Sequence, residues 1–251
     1  MDKEIDFKII KPDKSLADFV ENFWLLQNHS GNGKEVIILP DGRIDLFFSQ
    51  SETEPFHITL SGLETYPDQA TIAAKTCMFA ISFKLLATEY ILQSTLSNLL
   101  NNAKHLPVDF WDFNSKDLLD FDLFCKKASL KIYSILPKEI DSRKQKLFDL
   151  IYASKGAITV KELSEKAFWS SRQINRYFNQ QFGISLKVYC SILRFRASFG
   201  HIKQGKLFPQ QNFADQSHFI KEVKKLSGVT PKELKRNQND RFIQFTTLAS
   251  K

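Results

Sequence analysis

A chain of 251 residues, 43% apolar and 25% charged, is long enough for two globular units and ordinary in composition for a folded protein. No run approaches the ~20 apolar residues of a membrane span. The opening MDKEIDFKII lacks the apolar stretch and cleavage pattern of a secretory leader, so a cytoplasmic location without membrane contact is expected. The net charge of +7 hides an asymmetry. Residues 143–251 hold 21 lysines and arginines against 7 acids, whereas residues 1–142 hold 14 against 21. A basic half is the electrostatic footprint of a polyanion binder, and an acidic half repels DNA, so the two halves are expected to do different jobs.

In chain order, the first half reads as mixed α and β, a small β-sheet or barrel-like domain. Ser15 to Val20 is expected as a short helical turn, followed by the apolar stretch Phe23, Trp24, Leu25 and Leu26. Two β-prone runs, Val36–Leu39 and Ile44–Phe48, flank Pro40-Asp41-Gly42, which predicts a hairpin. Further strands are expected at His57–Leu60, Thr71–Ala74 and Cys77–Phe83. From about Ala87 the pattern turns helical. A helix over Asp117–Leu136 would carry Leu119, Leu123, Ala128, Ile132 and Ile135 inward and stop at Pro137. Residues 137–142 form a candidate linker between a sensing or dimerisation unit at 1–136 and an all-α unit at 143–240, with 241–251 as a tail.

Beyond the linker, helices follow one another. Thr159 with Glu162 reads as a capping box opening a short helix whose inward stripe is Val160, Leu163 and Ala167. Ser170, with Gln173 three residues on, opens a second helix over 170–182 that buries Ile174, Phe178 and Phe182. Arg172, Asn175 and Arg176 share another face of it, where arginine can pair with guanine and asparagine with adenine at ~1–3 kcal/mol of discrimination each. Ser170 and Ser171 at the helix start suit a phosphate. A long helix is expected over 185–203. Asp215 is the N-cap of a further helix over 215–227, with Phe219, Val223 and Leu226 inward and Ser217, Lys221 and Lys224 outward. Gln216 and Ile220 lie beside them, and Ile220 suits either a thymine methyl or the core. Gly228 ends that helix, and Thr230, Pro231 and Glu233 open another.

Residues 143–236 resemble the DNA-binding domain of the AraC/XylS family of bacterial transcription regulators. The resemblance rests on SSRQINRYFNQQFGIS, the arginines of LRFRAS, and FADQSHFIKEVKKLSGVTPKEL. It implies an α+β protein whose C-terminal part holds two helix-turn-helix units joined by a long helix. It matches Arg172, Asn175 and Arg176 to base-facing positions of the first recognition helix, and Gln216, Ser217 and Lys221 to those of the second. Gln173, His218 and Lys224 complete the DNA-binding candidates, His218 as a cap or packing residue. Two departures stand out. Phe168 occupies a turn position where the family often has glycine, which predicts a different turn there. The lead-in Gly205–Asn212 is short and carries Pro209, so the second head is expected to lack a full scaffold helix. LADFVENFWLL and ILPDGRIDLFF look like the small N-terminal domain found in some AraC-type regulators. The partners this implies are double-stranded DNA, a small-molecule effector in the first half, RNA polymerase if the protein activates, and a second copy of the chain.

Other chemistry finds little support. Cys77, Cys125 and Cys190 are too far apart for a disulfide framework or a zinc set, and are expected as buried thiols, with no metal or other cofactor. The DNA-repair methyltransferases that share this DNA-binding fold need a reactive Pro-Cys-His-Arg context, which Lys-Thr-Cys-Met around Cys77 does not supply. His29, His57, His105, His201 and His218 form no hydrolase motif, and no phosphate-cradling glycine loop is present. A non-catalytic module that binds polyanions or acidic proteins without sequence preference is the open alternative. For an effector pocket the candidates are Trp24, Arg43, Asp45 and His57, on or near expected strands; core packing or surface display is the competing reading for each.

Overall fold

The computed structural model describes residues 4–208 and 213–248. An antiparallel β-sheet unit comes first and a helical region follows. The strands are β1 Ile5–Ile10, β2 Val20–Asn28, β3 Lys34–Ile38, β4 Ile44–Gln50, β5 His57–Ser61, β6 Asp68–Ile72, β7 Cys77–Phe83 and, after the four-residue helix α1 Ala87–Tyr90, β8 Ala103–Leu106. Six of them form one sheet in the order β1-β2-β7-β4-β5-β8, every pair antiparallel. β3 and β6 form a separate two-stranded sheet.

The alternation along β4 shows how the large sheet is used. Ile44, Leu46 and Phe48 are fully buried on one face, while Asp45, Phe47 and Ser49 point to the other. The first face packs against helix α2 (Phe121–Ile135), where Phe48 and Phe79 meet Phe124 edge to face. Such ring pairs add about 0.5–1.5 kcal/mol each beyond their buried area. The second face looks toward the β3–β6 ribbon.

Several expectations are corrected here. Val36–Leu39 and Ile44–Phe48 do not form a hairpin, because β3 and β4 belong to different sheets. The Asp41-Gly42 turn instead carries the chain from one sheet to the other. Gly42 adopts φ +76, and a Cβ there would press on Tyr189 and Leu193. The expected Thr71–Ala74 strand lies earlier, at Asp68–Ile72, and β1 and β8 were not anticipated. The Lys14–Leu16 turn is a single 3-10 turn, and Val20 already belongs to β2. The helix expected from Asp117 begins at Phe121 after a 3-10 turn, so Leu119 and Leu123 are exposed while Phe121, Phe124 and Cys125 take the inward stripe.

The helical region comprises α3 Ser142–Ala153, α4 Val160–Ala167, α5 Ser171–Phe182, α6 Leu186–Ala197, α7 Phe199–Lys203, α8 Gln216–Ser227, α9 Pro231–Arg236 and α10 Ile243–Leu248. Residues 136–141 carry no regular element, yet one apolar cluster runs without a break from Leu16 to Leu193. A second cluster gathers α6 to α10 around Phe195, Phe199, Phe219 and Phe245. The helix expected over 185–203 is present but interrupted at Ser198. There the serine hydroxyl donates to Phe195 O at 2.6 Å and its N–H is shared between the Arg194 and Phe195 carbonyls. Residues 241–248 are not a free tail. Phe242 bridges to Ile37 of β3, and α10 packs on that ribbon. Among the described residues no helix is long and apolar enough to cross a membrane.

Candidate nucleic-acid interface and ligand cavity

α4 and α5 form a helix, a three-residue turn and a second helix, and the caps read from the sequence are in place. Thr159 and Glu162 close one capping box, Ser170 and Gln173 another, and Thr230 and Glu233 a third. Asp215 accepts from His218 N at 2.7 Å and opens α8. Each such cap is worth about 1 kcal/mol. Phe168 takes the left-handed conformation, φ 53 and ψ 41, with its ring 89% exposed. The turn therefore keeps the backbone geometry that glycine would give, despite the substitution.

Behind α5, Ile174, Phe178 and Phe182 are fully buried. In front, Arg172, Gln173 and Arg176 are exposed, and Asn175 and Ser171 are half-buried. Two of these side chains are already engaged. The Gln173 carbonyl accepts from the Ser170 N–H and hydroxyl at 3.1 and 2.7 Å, and the Asn175 amide donates to Ser171 O at 3.0 Å. Arg172 and Arg176 carry the outward charge of this helix. On α8, Gln216, Ser217, Lys221 and Lys224 are exposed, and Ile220 is 36% exposed at the edge of that face. The half-buried His218 accepts from Ala214 N at 3.3 Å and meets Phe213 edge to face, a packing role. The lead-in shows no helix over Gln204–Phe208, and Pro209–Asn212 lie outside the described residues.

α5 and α6 are tied to the first half. Gln181 of α5 donates to Thr88 Oγ1 and Ser94 O at 3.2 and 2.9 Å, and its carbonyl accepts from Leu96 N. Tyr177 donates to Glu89, which also holds Lys144 at 2.8 Å. On α6, Tyr189 donates to Gly42 O at 3.0 Å, and Arg196 pairs with Glu21 and reaches Asp41 O. Arg194, the other arginine of LRFRAS, donates to Gly156 O.

Between the second face of the large sheet and the β3–β6 ribbon lies a cavity of about 540 Å³. That is the size of a small-molecule site. Trp24, Arg43, Asp45 and His57 all line it. Trp24, Arg43 and Asp45 meet through Ser82, whose hydroxyl donates to Asp45 and accepts from Trp24 Nε1 at 3.0 Å and from Arg43 at 3.1 Å. Arg43 also grips Asp41, with Nε at 2.8 Å. Burial works against the guanidinium charge, but Asp41 and Asp45 outweigh it and raise the Arg43 pKa. Burial raises Asp45 above the ordinary carboxylate range despite Arg43. His57 sits at the edge of the group, its Nδ1 donating to Pro55 O at 2.9 Å. Glu64, also on the wall, is pushed up to about 7 by burial, Asp68 and Asp41.

Asp41 and Glu64 line the cavity without having been singled out for it in the sequence, and Ser82 lies buried behind Asp45. In the sequence Asp41 reads as a turn residue, although Asp45, Phe47 and Ser49 at alternate positions already marked a non-core face. Nor was α10 anticipated, from which Ile243, Gln244 and Thr247 close the cavity, with Gln244 accepting from Leu39 N at 2.7 Å. Cys125 and Cys190 are buried and Cys77 half-buried; burial raises all three thiols, so none is a thiolate near neutral pH.

Residues 8–105 match a domain of unknown function, DUF6597. The DUF6597 segment begins in β1 and ends in β8, so it supplies most of the cavity wall, while α10 comes from outside it. No curated protein matches the chain. Among solved structures, ToxT from Vibrio cholerae is similar at 11% identity and a TM-score of 0.44, covering 92% of this chain and 97% of that one. ToxT bound to (E)-4-(8-methylnaphthalen-1-yl)but-3-enoic acid aligns at 13% identity and 0.44, covering 92% and 98%. The unsaturated fatty acid-bound form aligns at 11% and 0.41, covering 96% and 94%.

Proposed function

We propose that this chain is a sequence-specific DNA-binding transcription regulator of the AraC type, responsive to an effector held by its first half. The observation that supports it best is the pair of capped helices α5 and α8. Each buries an apolar stripe and turns exposed arginine or lysine outward, in the half of the chain that holds the basic excess. In this reading α5 and α8 enter adjacent major grooves on one side of the duplex. Arg172 and Arg176 read bases, Asn175 and Gln216 assist them, and Ser170, Ser171, Ser217, Lys221 and Lys224 hold phosphates or flank the contact. Residues 1–136 sense the effector and provide a surface for pairing with a second copy, 137–142 link, and 143–240 read DNA. The protein works in the cytoplasm, without catalysis.

The test is a titration against DNA from upstream of its own gene and against a scrambled duplex at physiological salt. Preference of about 10³-fold or more is the expected result. Arg172→Ala and Arg176→Ala should each lower the preference by about tenfold or more. Lys224→Ala should weaken binding to every sequence and reduce the salt slope by about one. Equal, steeply salt-dependent binding of the parent protein to both duplexes would replace this reading with that of a general polyanion-binding surface.

A further inference from the structure

The charged groups on the cavity wall are mostly acids. Among the described residues its titratable lining comprises Asp41, Asp45, Glu54, Glu64 and Asp68 against the single arginine Arg43, with His57 at the edge. That arginine is already committed, since Asp41 takes its Nε and one terminal nitrogen and Ser82 takes the other. An entering carboxylate would find no unpaired cation among the described residues of the wall and would lie among acids. Asp45 is enclosed by protein yet keeps part of its surface on the cavity, and burial raises the pKa of both Asp45, despite its neighbour Arg43, and Glu64. Beside them lies an apolar and aromatic patch, with serines, threonines, Asn101, Asn102 and Gln244 on other parts of the wall. Trp24 packs between Phe7 at 5.8 Å and Phe47 at 5.7 Å between ring centroids, and Leu26, Met78 and Ile243 extend that surface. Ring faces beside carboxylates are the surroundings in which an organic cation is held by charge and by cation–π attraction together.

We propose that the cavity binds a small organic cation, a protonated amine on an apolar body, with the amine toward Asp45 and Glu64 and the body against Trp24 and Phe47. The proposal rests on reading this cavity as the effector site and needs nothing from the DNA contacts. α10 forms part of the wall, so the amine's body and the last helix of the chain share one apolar surface.

The experiment uses the full chain without DNA and reads tryptophan emission near neutral pH, because the Trp24 indole is hydrogen-bonded within the site. The probes are 4-phenylbutylamine, 4-phenylbutan-1-ol and 4-phenylbutanoate, which share a body and differ in the head group. Saturable binding of the amine is expected at least about tenfold tighter than the alcohol and about a hundredfold tighter than the carboxylate. Asp45→Asn, which keeps a hydrogen-bonding partner for Ser82, and Glu64→Gln should each cut the preference for amine over alcohol by about tenfold. If Asp45→Asn does not fold, Glu64→Gln carries this arm alone. Trp24→Phe should abolish the emission change. The proposal is overturned if the carboxylate or alcohol binds as tightly as the amine, or if no probe binds. It is equally overturned if the amine preference survives in every variant that folds, or if the emission change survives Trp24→Phe. Failure of sequence preference in the DNA titration would leave this result untouched, and a carboxylate-selective cavity would leave the DNA reading untouched.

Discussion

Glu64 shows how one side chain at the cavity edge sets a pH dependence. Its carboxyl is raised from 4.5 to about 7, chiefly by burial and then by Asp68 and Asp41. A carboxyl harder to ionise in the folded than in the unfolded chain binds more protons when folded. Its stabilising effect is therefore complete below the unfolded value and is lost as pH rises through the folded one. The half-open setting of Glu64 screens the effect to about 1–2 kcal/mol. Urea unfolding at about pH 5 and pH 8 should show this loss in the parent, and Glu64→Gln should be about 1–2 kcal/mol more stable than the parent at the higher pH. Identical pH slopes for the two proteins would mean that Glu64 titrates as an ordinary surface acid. On α5, Gln173 has two readings in the sequence, the capping partner of Ser170 and a DNA-contact candidate beside Arg172, and the structure commits its side-chain carbonyl to the cap.

At the scale of elements, the helices owe their starts to their own caps and their positions to polar contacts with the first half. α6 is the clearest case. Arg196 is pulled down to about 10 by burial, stays charged near neutral pH, and is matched by Glu21 of β2. Removing one partner of a buried pair leaves the other uncompensated, so Glu21→Gln should cost about 3 kcal/mol. Replacing both, as Glu21→Leu with Arg196→Met, should cost less than the sum of the two single changes. Denaturant unfolding of the four proteins checks this, and strict additivity would show that the pair does not couple the helix to the sheet. The same wiring holds α5 through Gln181 and Tyr177, so this helix has its back fixed to α1 and the loop after it.

Across the whole molecule, α10 belongs at once to the cavity wall and to the apolar cluster behind α8. Phe245 is 1% exposed and lies 5.5 Å from the Phe199 ring, and Lys203 of α7 donates to Thr246 O at 3.0 Å. A ligand pressing on Ile243 would therefore act on an element that packs on α7 within the apolar cluster shared with α8. Phe245→Ala should cost about 3–5 kcal/mol. On cognate DNA its footprint should keep the part covered by α5 and lose the part covered by α8. A full-length footprint from a destabilised Phe245→Ala protein would show that α8 holds its position without α10.

The helical half was legible from residues close together in the chain. Thr159 with Glu162, Ser170 with Gln173, and Phe219 with Val223 and Leu226 interact across three, four or seven positions, so the caps and inward stripes are written in adjacent residues and survive in the structure. Trp24, Arg43, Asp45 and His57 could be named as candidates, but nothing local showed that they share a space with Glu64 and Asp41. The interruption at Ser198, the separation of β3 from β4 and the order β1-β2-β7-β4-β5-β8 were likewise decided only on folding. Strand partners are chosen by side chains distant in sequence, and a turn such as Asp41-Gly42 serves a hairpin or a change of sheet equally well. The contact that closes the cavity, Leu39 N–H to Gln244, spans 205 positions. Short-range pattern determined the helices and their outward charge; long-range packing decided the cavity and its link through α10 to the apolar cluster shared with α8.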